Sequence, residues 1–294
     1  YGSRAVGSKV LALALVTARP NPTEPKCQPT MDHQKTSVEA ILEKAGLRPL
    51  ADNEFETAAD IMTAAFAGSA EAESEPGMNY ILGPDLHAQW EDPRRVKHVR
   101  YLARLFMHEA AASPDSHITV LPAKDGSIEA VCVFHLRSKV KETGLRATVR
   151  ELGFILHHLC TDGIPPWWKE HGGLFRARGR AQNRRVLWAT EAEKPVHETH
   201  MPRAHLHLQM VAVDPSKQGQ GLASKVMRAV SAVADHEGVI CYLDTFGDRR
   251  RAIYSRFGYE VVEEIAGFQY EWRPELGVPV ETWFAMVRPG NRSE

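Results

Sequence analysis

The segment with the clearest chemical potential joins an apolar run to a glycine-containing turn. Residues 206–223 read LHLQMVAVDPSKQGQGLA, with glycines at positions 219 and 221. The first half predicts a strand, and the residues that follow Gly221 recur at helical spacing. A helix N-terminus offers unpaired N–H groups and the positive end of a dipole, and glycine allows the backbone to approach a ligand closely. The turn is therefore suited to an anionic phosphate.

Two other types of phosphate loop fit this turn poorly. A Walker A loop requires Lys and then Ser or Thr after its last glycine, whereas Leu222 and Ala223 follow here. A dinucleotide fingerprint requires a third glycine, and Ser224 occupies that position. A strand–turn–helix junction that uses its glycines for geometry alone remains the alternative.

Residues 211–223 resemble the acetyl-CoA signature of the GNAT superfamily of acyl-CoA N-acyltransferases. That signature, Gln/Arg-x-x-Gly-x-Gly/Ala, is matched by residues 218–223, QGQGLA. Residues 252–259, AIYSRFGY, resemble the second hallmark of the family, in which Gly-Phe/Tyr begins four residues after a tyrosine. The resemblance implies an α/β fold of the α+β type, with a mixed, strongly twisted sheet flanked by helices. It also implies acetyl-CoA as the co-substrate.

The resemblance further assigns roles to single residues. The backbone of Val211 and Val213 is implied to pair with the pantetheine amides as another strand would. The amides of residues 218–223 are implied to hold the pyrophosphate, and Tyr254 to donate a proton to the departing thiolate. The implied cofactor-binding residues are Val211, Ala212, Val213, Gln218, Gly219, Gln220, Gly221, Leu222 and Ala223. For Tyr254, a half-buried position in the core is the alternative.

A general base is also needed, because a protonated amine has no lone pair with which to attack a thioester. In related sequences a Glu often stands where this chain has Gln209, and Gln cannot accept that proton. His207 lies two residues earlier on the same strand face, and Asp244 lies on the next predicted strand. Histidine has an intrinsic pKa suited to the task. His207, Asp244 and a water molecule remain the candidates.

The wider pattern is α/β with a mixed strand order. We predict one domain over residues 45–290 with a helical insertion at 141–200, in which Trp167 and Trp168 could line an acceptor pocket. Predicted strands cover residues 47–50, 117–121, 128–136, 205–213, 239–245, 259–265 and 280–287. Predicted helices begin at Asp52 and Asp92 and cover residues 221–236 and 250–257.

The first 35 residues are left out of the predicted domain. A short apolar run at residues 10–16 faintly resembles a signal sequence, and four prolines between Pro20 and Pro29 disfavour packing. Residues 1–35 are predicted to be a disordered extension, or a segment added upstream of a natural start at Met31.

Composition disfavours several classes of function. The net charge is −1, from 36 basic and 37 acidic residues, so no overall field attracts nucleic acid or an anionic membrane. No apolar run is long enough to span a bilayer. The four cysteines lie far apart, at Cys27, Cys132, Cys160 and Cys241, which favours a reduced, cytoplasmic compartment.

A metal cofactor is not predicted. The chain has 14 histidines, and their spacing matches no zinc motif. His157 and His158 are adjacent, and adjacent residues on a helix face different directions, so they do not form a metal-binding pair.

We therefore predict an N-acetyltransferase that transfers the acetyl group of acetyl-CoA to the amine of a small molecule by direct attack within a ternary complex. Tyr254 is its expected general acid, and His207 or Asp244 its expected base. A protein acetyltransferase acting on lysine or N-termini, and a non-catalytic acyl-CoA-binding module, are the alternatives. We expect a monomer or homodimer that binds neither nucleic acid nor membrane.

Overall fold

The computed structural model describes most of the predicted domain and part of the segment before it. It covers residues 31–69, 76–83, 89–137, 160–171, 198–201, 204–265 and 282–290, with the single positions 86, 153, 157, 158, 185, 195 and 196. The predictions for residues 1–30, for most of the insertion at 141–200 and for the side chains of Trp167 and Trp168 lie outside the described residues.

The described residues form helices on both sides of a sheet. In chain order the helices are α1 (Met31–Lys44), α2 (Phe55–Ala67), α3 (Pro76–Leu82), α4 (Pro93–Ala112), α5 (Pro166–His171), α6 (Leu222–Glu237) and α7 (Asp248–Ser255). The strands are β1 (Arg48–Pro49), β2 (Ser116–Pro122), β3 (Ile128–Arg137), β4 (His205–Val213), β5 (Ile240–Phe246), β6 (Glu260–Glu264) and β7 (Trp283–Arg288). Short 3-10 turns at Asp52–Glu54 and Pro215–Lys217 precede α2 and α6.

The strands form a single mixed sheet in the order β1-β2-β3-β4-β5-β7-β6. Neighbours are antiparallel except β4 and β5, which run parallel. The last strand, β7, lies between β5 and β6. The predicted mixed sheet flanked by helices is confirmed.

The parallel pair β4 and β5 separates soon after it begins. Pairing is limited to three positions, from His205 opposite Ile240 to His207 opposite Tyr242. Both strands continue beyond these positions, to Val213 and Phe246. The backbone of residues 208–213 is therefore not paired with β5 along the edge that faces it, and a gap opens between the two strands.

A β-bulge lies at the point where this gap begins. On β3, Val133 pairs with Met210 and Phe134 with Leu208, so Gln209 is the extra residue of β4. A bulge bends a strand and increases its twist. It also shifts the alternation of side chains by one residue, so that His207 and Met210 lie on the same face of β4 although they are three residues apart.

The core on one side of the sheet is formed by α6 and α1. Val226, Val230 and Val233 recur at helical spacing on α6 and are buried against the strands. Val38 and Leu42 of α1 are fully buried in the same cluster. The packed domain therefore starts before the predicted boundary at residue 45, because α1 supplies part of its core.

On the opposite side of the sheet, α2, α3 and α4 are joined by a buried arginine. Arg95 of α4 is fully buried and donates hydrogen bonds to the carbonyl of Ala67 (2.6 and 2.8 Å), the carbonyl of Leu86 (2.9 Å) and Oδ1 of Asn79 (2.7 Å). Its guanidinium carbon lies 4.5 Å from the centre of the Trp90 ring. Burial lowers the pKa of Arg95 to about 10, so it stays protonated at neutral pH.

The predicted elements near the C-terminal half match the observed ones to within a few residues, and β4 has the predicted bounds. The helix expected to start at Asp52 begins instead at Phe55, after a 3-10 turn. Helix α3 was not predicted. No described helix is both long and apolar enough to cross a lipid bilayer.

Candidate active site

One cavity of about 1190 Å³ brings most of the predicted site residues together. It extends from the turn before α6, past the gap between β4 and β5, to the helices on the Arg95 side of the sheet. The predicted residues that line it are His207, Val211, Val213, Gln218, Gly219, Gly221, Leu222, Ala223, Asp244 and Tyr254. Two predicted residues do not line it: Ala212 is a buried residue of β4, and Gln220 is exposed to solvent.

The turn before α6 has the backbone geometry that its sequence predicts. Gly219 and Gly221 both have φ of 77°, and Gly221 caps the helix in the left-handed conformation. The first backbone bond of the helix runs from the amide of Lys225 to the carbonyl of Gly221 (3.1 Å). The amides of residues 222–224 therefore precede the first helical donor, Lys225, and are directed towards the cavity end of α6.

Basic side chains surround this end of the cavity. Lys217, Arg249 and Arg250 line it. The neighbouring Arg251 is not among the lining residues. It pairs with Asp248 (3.0 Å), and its guanidinium carbon lies 5.2 Å from the Phe284 ring centre.

Tyr254 reaches the cavity from α7. Its side chain is half-buried, and its ring lies 6.2 Å from that of Tyr259 in an edge-on arrangement. Gly258 has φ of 84° and turns the chain from α7 into β6. The following residue, Tyr259, is buried, and its hydroxyl lies 2.8 Å from Sγ of Cys241. Of the two tyrosines in this motif, Tyr254 lines the cavity and Tyr259 anchors the turn.

The two candidate bases lie beside each other where β4 and β5 separate. Nε2 of His207 is 4.0 Å from Oδ1 of Asp244. Oδ2 of the same carboxylate accepts a hydrogen bond from Nε1 of Trp283 (2.8 Å). His207 is buried, and its ring contacts Tyr242 edge-on at 5.0 Å. Trp283 fixes one carboxylate oxygen, which leaves the other directed to the histidine.

Gln209, the bulged residue of β4, belongs to a separate group of hydrogen-bonded side chains near His207. Oε1 of Gln209 lies 3.0 Å from Nε2 of His135 on β3, and Nδ1 of His135 is hydrogen-bonded to Oγ of Ser116 on β2. The His135 ring is 5.8 Å from that of His207. Gln209 lines the cavity between these histidines. It is held by a hydrogen-bond chain across three strands.

The far end of the cavity has aromatic walls. Phe246 and Trp283 are stacked at 5.2 Å and lie on the Asp244 face of the sheet. Phe66, Tyr80 and Phe106 line the cavity from α2, α3 and α4. Aromatic rings form rigid, apolar walls, so this end suits a ligand with an apolar body.

Three contributors to the site were not predicted from the sequence. Trp283 and His135 reach it only through strand pairing, which brings together residues far apart in the chain. Helix α3 contributes Met78 and Tyr80 from a stretch for which no helix was predicted. The proline at its first position, Pro76, is the one local signal that indicates this helix.

Comparison with known proteins agrees with this geometry. Residues 182–261 match the family model described as an acetyltransferase (GNAT) domain. That match contains β4, the turn, α6, β5, α7 and the start of β6. Residues 182–261 therefore match a GNAT acetyltransferase domain, and the family resemblance of the two motifs is confirmed.

Two solved structures align with most of the chain. Arylalkylamine N-acetyltransferase 2 from Aedes aegypti has a TM-score of 0.50 at 13% identity, covering 83% of this chain and 97% of its own. A Corynebacterium glutamicum protein described as histone acetyltransferase HPA2 and related acetyltransferase has a TM-score of 0.48 at 18% identity, covering 83% and 95%. At these identities the likeness concerns the fold. No curated protein sequence matched the chain.

Proposed function

We propose that the chain is an acetyl-CoA-dependent N-acetyltransferase whose acceptor is a small-molecule amine. The observation that carries this proposal is that a single cavity joins the glycine turn of α6 to Tyr254, His207 and Asp244. A phosphate-binding turn, a proton donor and a proton acceptor are the parts that acyl transfer from a thioester to an amine requires.

The residues around the turn fit the cofactor. Backbone amides at the N-terminus of α6, together with Lys217, Arg249 and Arg250, would hold the phosphates. The unpaired edge of β4 at Val211 and Val213 would accept the pantetheine arm as an added strand. Acetyl-CoA, when bound, supplies the acetyl group as a thioester.

The side chains at the gap would handle the protons. His207 accepts a proton from the ammonium form of the acceptor, and the nearby Asp244 carboxylate stabilises the resulting imidazolium. With acetyl-CoA bound, the free amine would attack the thioester carbonyl, the C–S bond would break, and Tyr254 would protonate the departing thiolate. The nitrogen would lose its second proton to solvent, from which the Tyr254 phenolate would regain one.

Direct transfer is favoured over an acyl-cysteine step. None of the described cysteines lines the cavity. Burial raises the pKa of Cys132 and of Cys241, the latter to about 12, so both are neutral thiols at pH 7 and poor nucleophiles.

The acceptor end of the cavity favours an amine with an aromatic or apolar body over a peptide. Its walls are aromatic, and they come from α2, α3 and α4 as well as the sheet. An enzyme of this kind would draw on the acetyl-CoA of the cytoplasm. A protein acetyltransferase and a non-catalytic acyl-CoA-binding module are the competing functions.

The test is release of free CoA thiol from acetyl-CoA in the presence of arylalkylamines, polyamines, aminoglycosides, amino acids and lysine-containing peptides. We expect turnover with the aromatic amines first. Turnover with peptides alone would favour the protein acetyltransferase, and acetyl-CoA binding without turnover would favour the non-catalytic module. No binding and no turnover would refute the enzyme proposal.

A further inference from the structure

A second group of polar side chains lies outside the cavity, between α4 and the segment at residues 157–162. It contains His108 of α4 with His158 and Asp162. Their side chains are only 10%, 4% and 7% exposed. None of the three lines the acetyltransferase cavity. The proposed acyl transfer gives them no role.

The three side chains converge on one point. Nε2 of His108 is 3.1 Å and Nδ1 of His158 is 3.0 Å from the same oxygen, Oδ2 of Asp162. All the possible ligand atoms lie within 4.8 Å of one another. His158 and Asp162 are one helical turn apart, with the amide of Asp162 donating to the carbonyl of His158 (2.8 Å). Residues four apart share one side of a helix.

The surroundings fix each of these groups. Arg104 donates to Oδ1 of Asp162, which directs Oδ2 towards the histidines. The Thr161 hydroxyl donates to Oδ2 (2.9 Å). Phe55 stacks on the His108 ring at 4.5 Å, and Tyr101 contacts the His158 ring at 4.8 Å. Such contacts from neighbouring residues orient ligands in protein metal sites.

We propose that His108, His158 and Asp162 bind one Zn²⁺ ion, with water as the fourth ligand. Zn²⁺ takes imidazole and carboxylate ligands at about 2.0–2.1 Å in tetrahedral geometry, which places neighbouring ligand atoms about 3.3 Å apart. The two short separations are close to that value. Mg²⁺ and Ca²⁺ prefer oxygen ligands alone and suit the two imidazoles poorly.

The same geometry explains why residue spacing does not indicate this site. His157 and His158 are adjacent and face different directions, whereas His158 lies beside His108, fifty residues earlier in the chain. The ion would hold the segment at 157–162 onto α4. Two further hydrogen bonds join α4 to the residues that come after Asp162. The Tyr101 hydroxyl contacts the carbonyl of Gly163 (3.4 Å), and His98 contacts Glu170 (2.9 Å).

The experiment uses the full chain without a histidine tag, stripped with a chelator and dialysed. Titration with Zn²⁺, and with Co²⁺ as a spectroscopic substitute, measures stoichiometry and affinity. We expect one equivalent to bind with a Kd below about 1 µM, since Zn²⁺ binds such ligand sets tightly. Saturation is expected to raise Tm by roughly 5 °C, as binding to the folded state alone stabilises it.

Variants test whether Zn²⁺ binds at His108, His158 and Asp162. Asp162→Asn and His108→Ala are each expected to weaken Zn²⁺ binding at least about 10-fold, because even the substitution of an outer-shell partner costs about 10- to 100-fold in such sites. His236→Ala, an exposed histidine in the last turn of α6, is the matched control and should bind as the original chain does. Absence of binding in the original chain, or equal binding in all variants, would refute the site and leave an ion-pair cluster. Neither outcome bears on acetyl transfer, which the thiol-release assay measures separately.

Discussion

Three side chains proposed to move protons come from three different elements: His207 from β4, Asp244 from β5 and Tyr254 from α7. No two of them are close in sequence. Strands β4 and β5 separate early, and His207 and Asp244 lie 4.0 Å apart where the separation begins. Their roles are open to separate tests because each variant removes a different proton transfer.

Tyr254→Phe is expected to lower kcat by about 100-fold, at the low end of what a general acid contributes. The KM for acetyl-CoA should change little, because the phosphate turn and the β4 edge are untouched. Initial rates of thiol release measure both quantities. Tyr259→Phe is the matched control, since its hydroxyl contacts Cys241 and not the cavity. Equal rates in the Tyr254 variant and the original chain would rule out the phenol as the acid.

The pair His207 and Asp244 predicts a specific pH dependence. If His207 is the base, kcat/KM rises with pH as the imidazole loses its proton, and His207→Ala removes this rise. Asp244→Asn removes a negative charge that stabilises the imidazolium, so the rise should move to lower pH. A pH profile unchanged by His207→Ala would exclude the histidine. A rise lost only in Asp244→Asn would make the carboxylate the base.

At the scale of elements, the turn before α6 depends on the conformation of Gly221. Its φ of 77° costs a residue with a Cβ about 1–2 kcal/mol. An added Cβ at this position would meet no atom within 4 Å, so the cost comes from the backbone and not from a clash. A substitution at Gly221 would therefore shift the backbone of the turn without unfolding the domain.

Gly221→Ala is accordingly expected to raise the KM for acetyl-CoA several-fold, with a smaller change in kcat. Steady-state kinetics at varied acetyl-CoA measures this effect. Gly221→Asn is the matched variant, because asparagine tolerates left-handed φ better than alanine. Its KM should lie between those of glycine and alanine, and a KM in Gly221→Ala equal to the original value would contradict the phosphate role of the turn.

A second element-scale prediction concerns the helices of the acceptor end. Arg95→Met leaves the buried carbonyls of Ala67 and Leu86 without their donor, which should lower the free energy of unfolding by about 3 kcal/mol. Urea unfolding measures the change. Arg94→Met alters the preceding residue, which is exposed and pairs with Asp92, and should cost at most about 0.5 kcal/mol. Equal effects of the two substitutions would show that the buried guanidinium does not join the helices.

For the whole molecule, thiol reactivity should report global unfolding. Thiolate is the reactive form, and burial raises the pKa of Cys132 and Cys241 while also blocking access. At pH 8 iodoacetamide is expected to label the exposed Cys160 at least about 100-fold faster than these two. Peptide mass spectrometry distinguishes the sites, and the difference should disappear in denaturant. Fast labelling of Cys241 in the folded protein would contradict its burial in the core between β5 and α6.

Much of this fold could be predicted because it depends on local pattern. Alternating and helical spacing located β4 and α6, and the glycine turn between them follows from the conformation that only glycine adopts freely. The same holds for Tyr254, whose place on a short helix before Gly258 is set by neighbouring residues. These features occupy the part of the chain that the family model matches.

The rest depends on contacts between distant residues, which spacing does not encode. Nothing local to Trp283 indicates that β7 pairs with β5 and brings the indole to Asp244. The bulge at Gln209, the covering helix α3 and the convergence of His108 with His158 are of the same kind. The polar sequence of α1 also concealed how deeply Val38 and Leu42 are buried.

The interior position of β7 has a consequence for biosynthesis. The N-terminal part of a chain leaves the ribosome first during synthesis. Strands β1 to β5 and both sequence motifs therefore emerge before Trp283 does. Until the last strand inserts between β5 and β6, the nascent protein has its glycine turn, but Asp244 lacks the hydrogen bond from Trp283. The proposed active site would therefore be complete only after β7 has been synthesised. A stop codon just before residue 283 would yield a product that contains both sequence motifs but lacks a strand from the interior of its sheet.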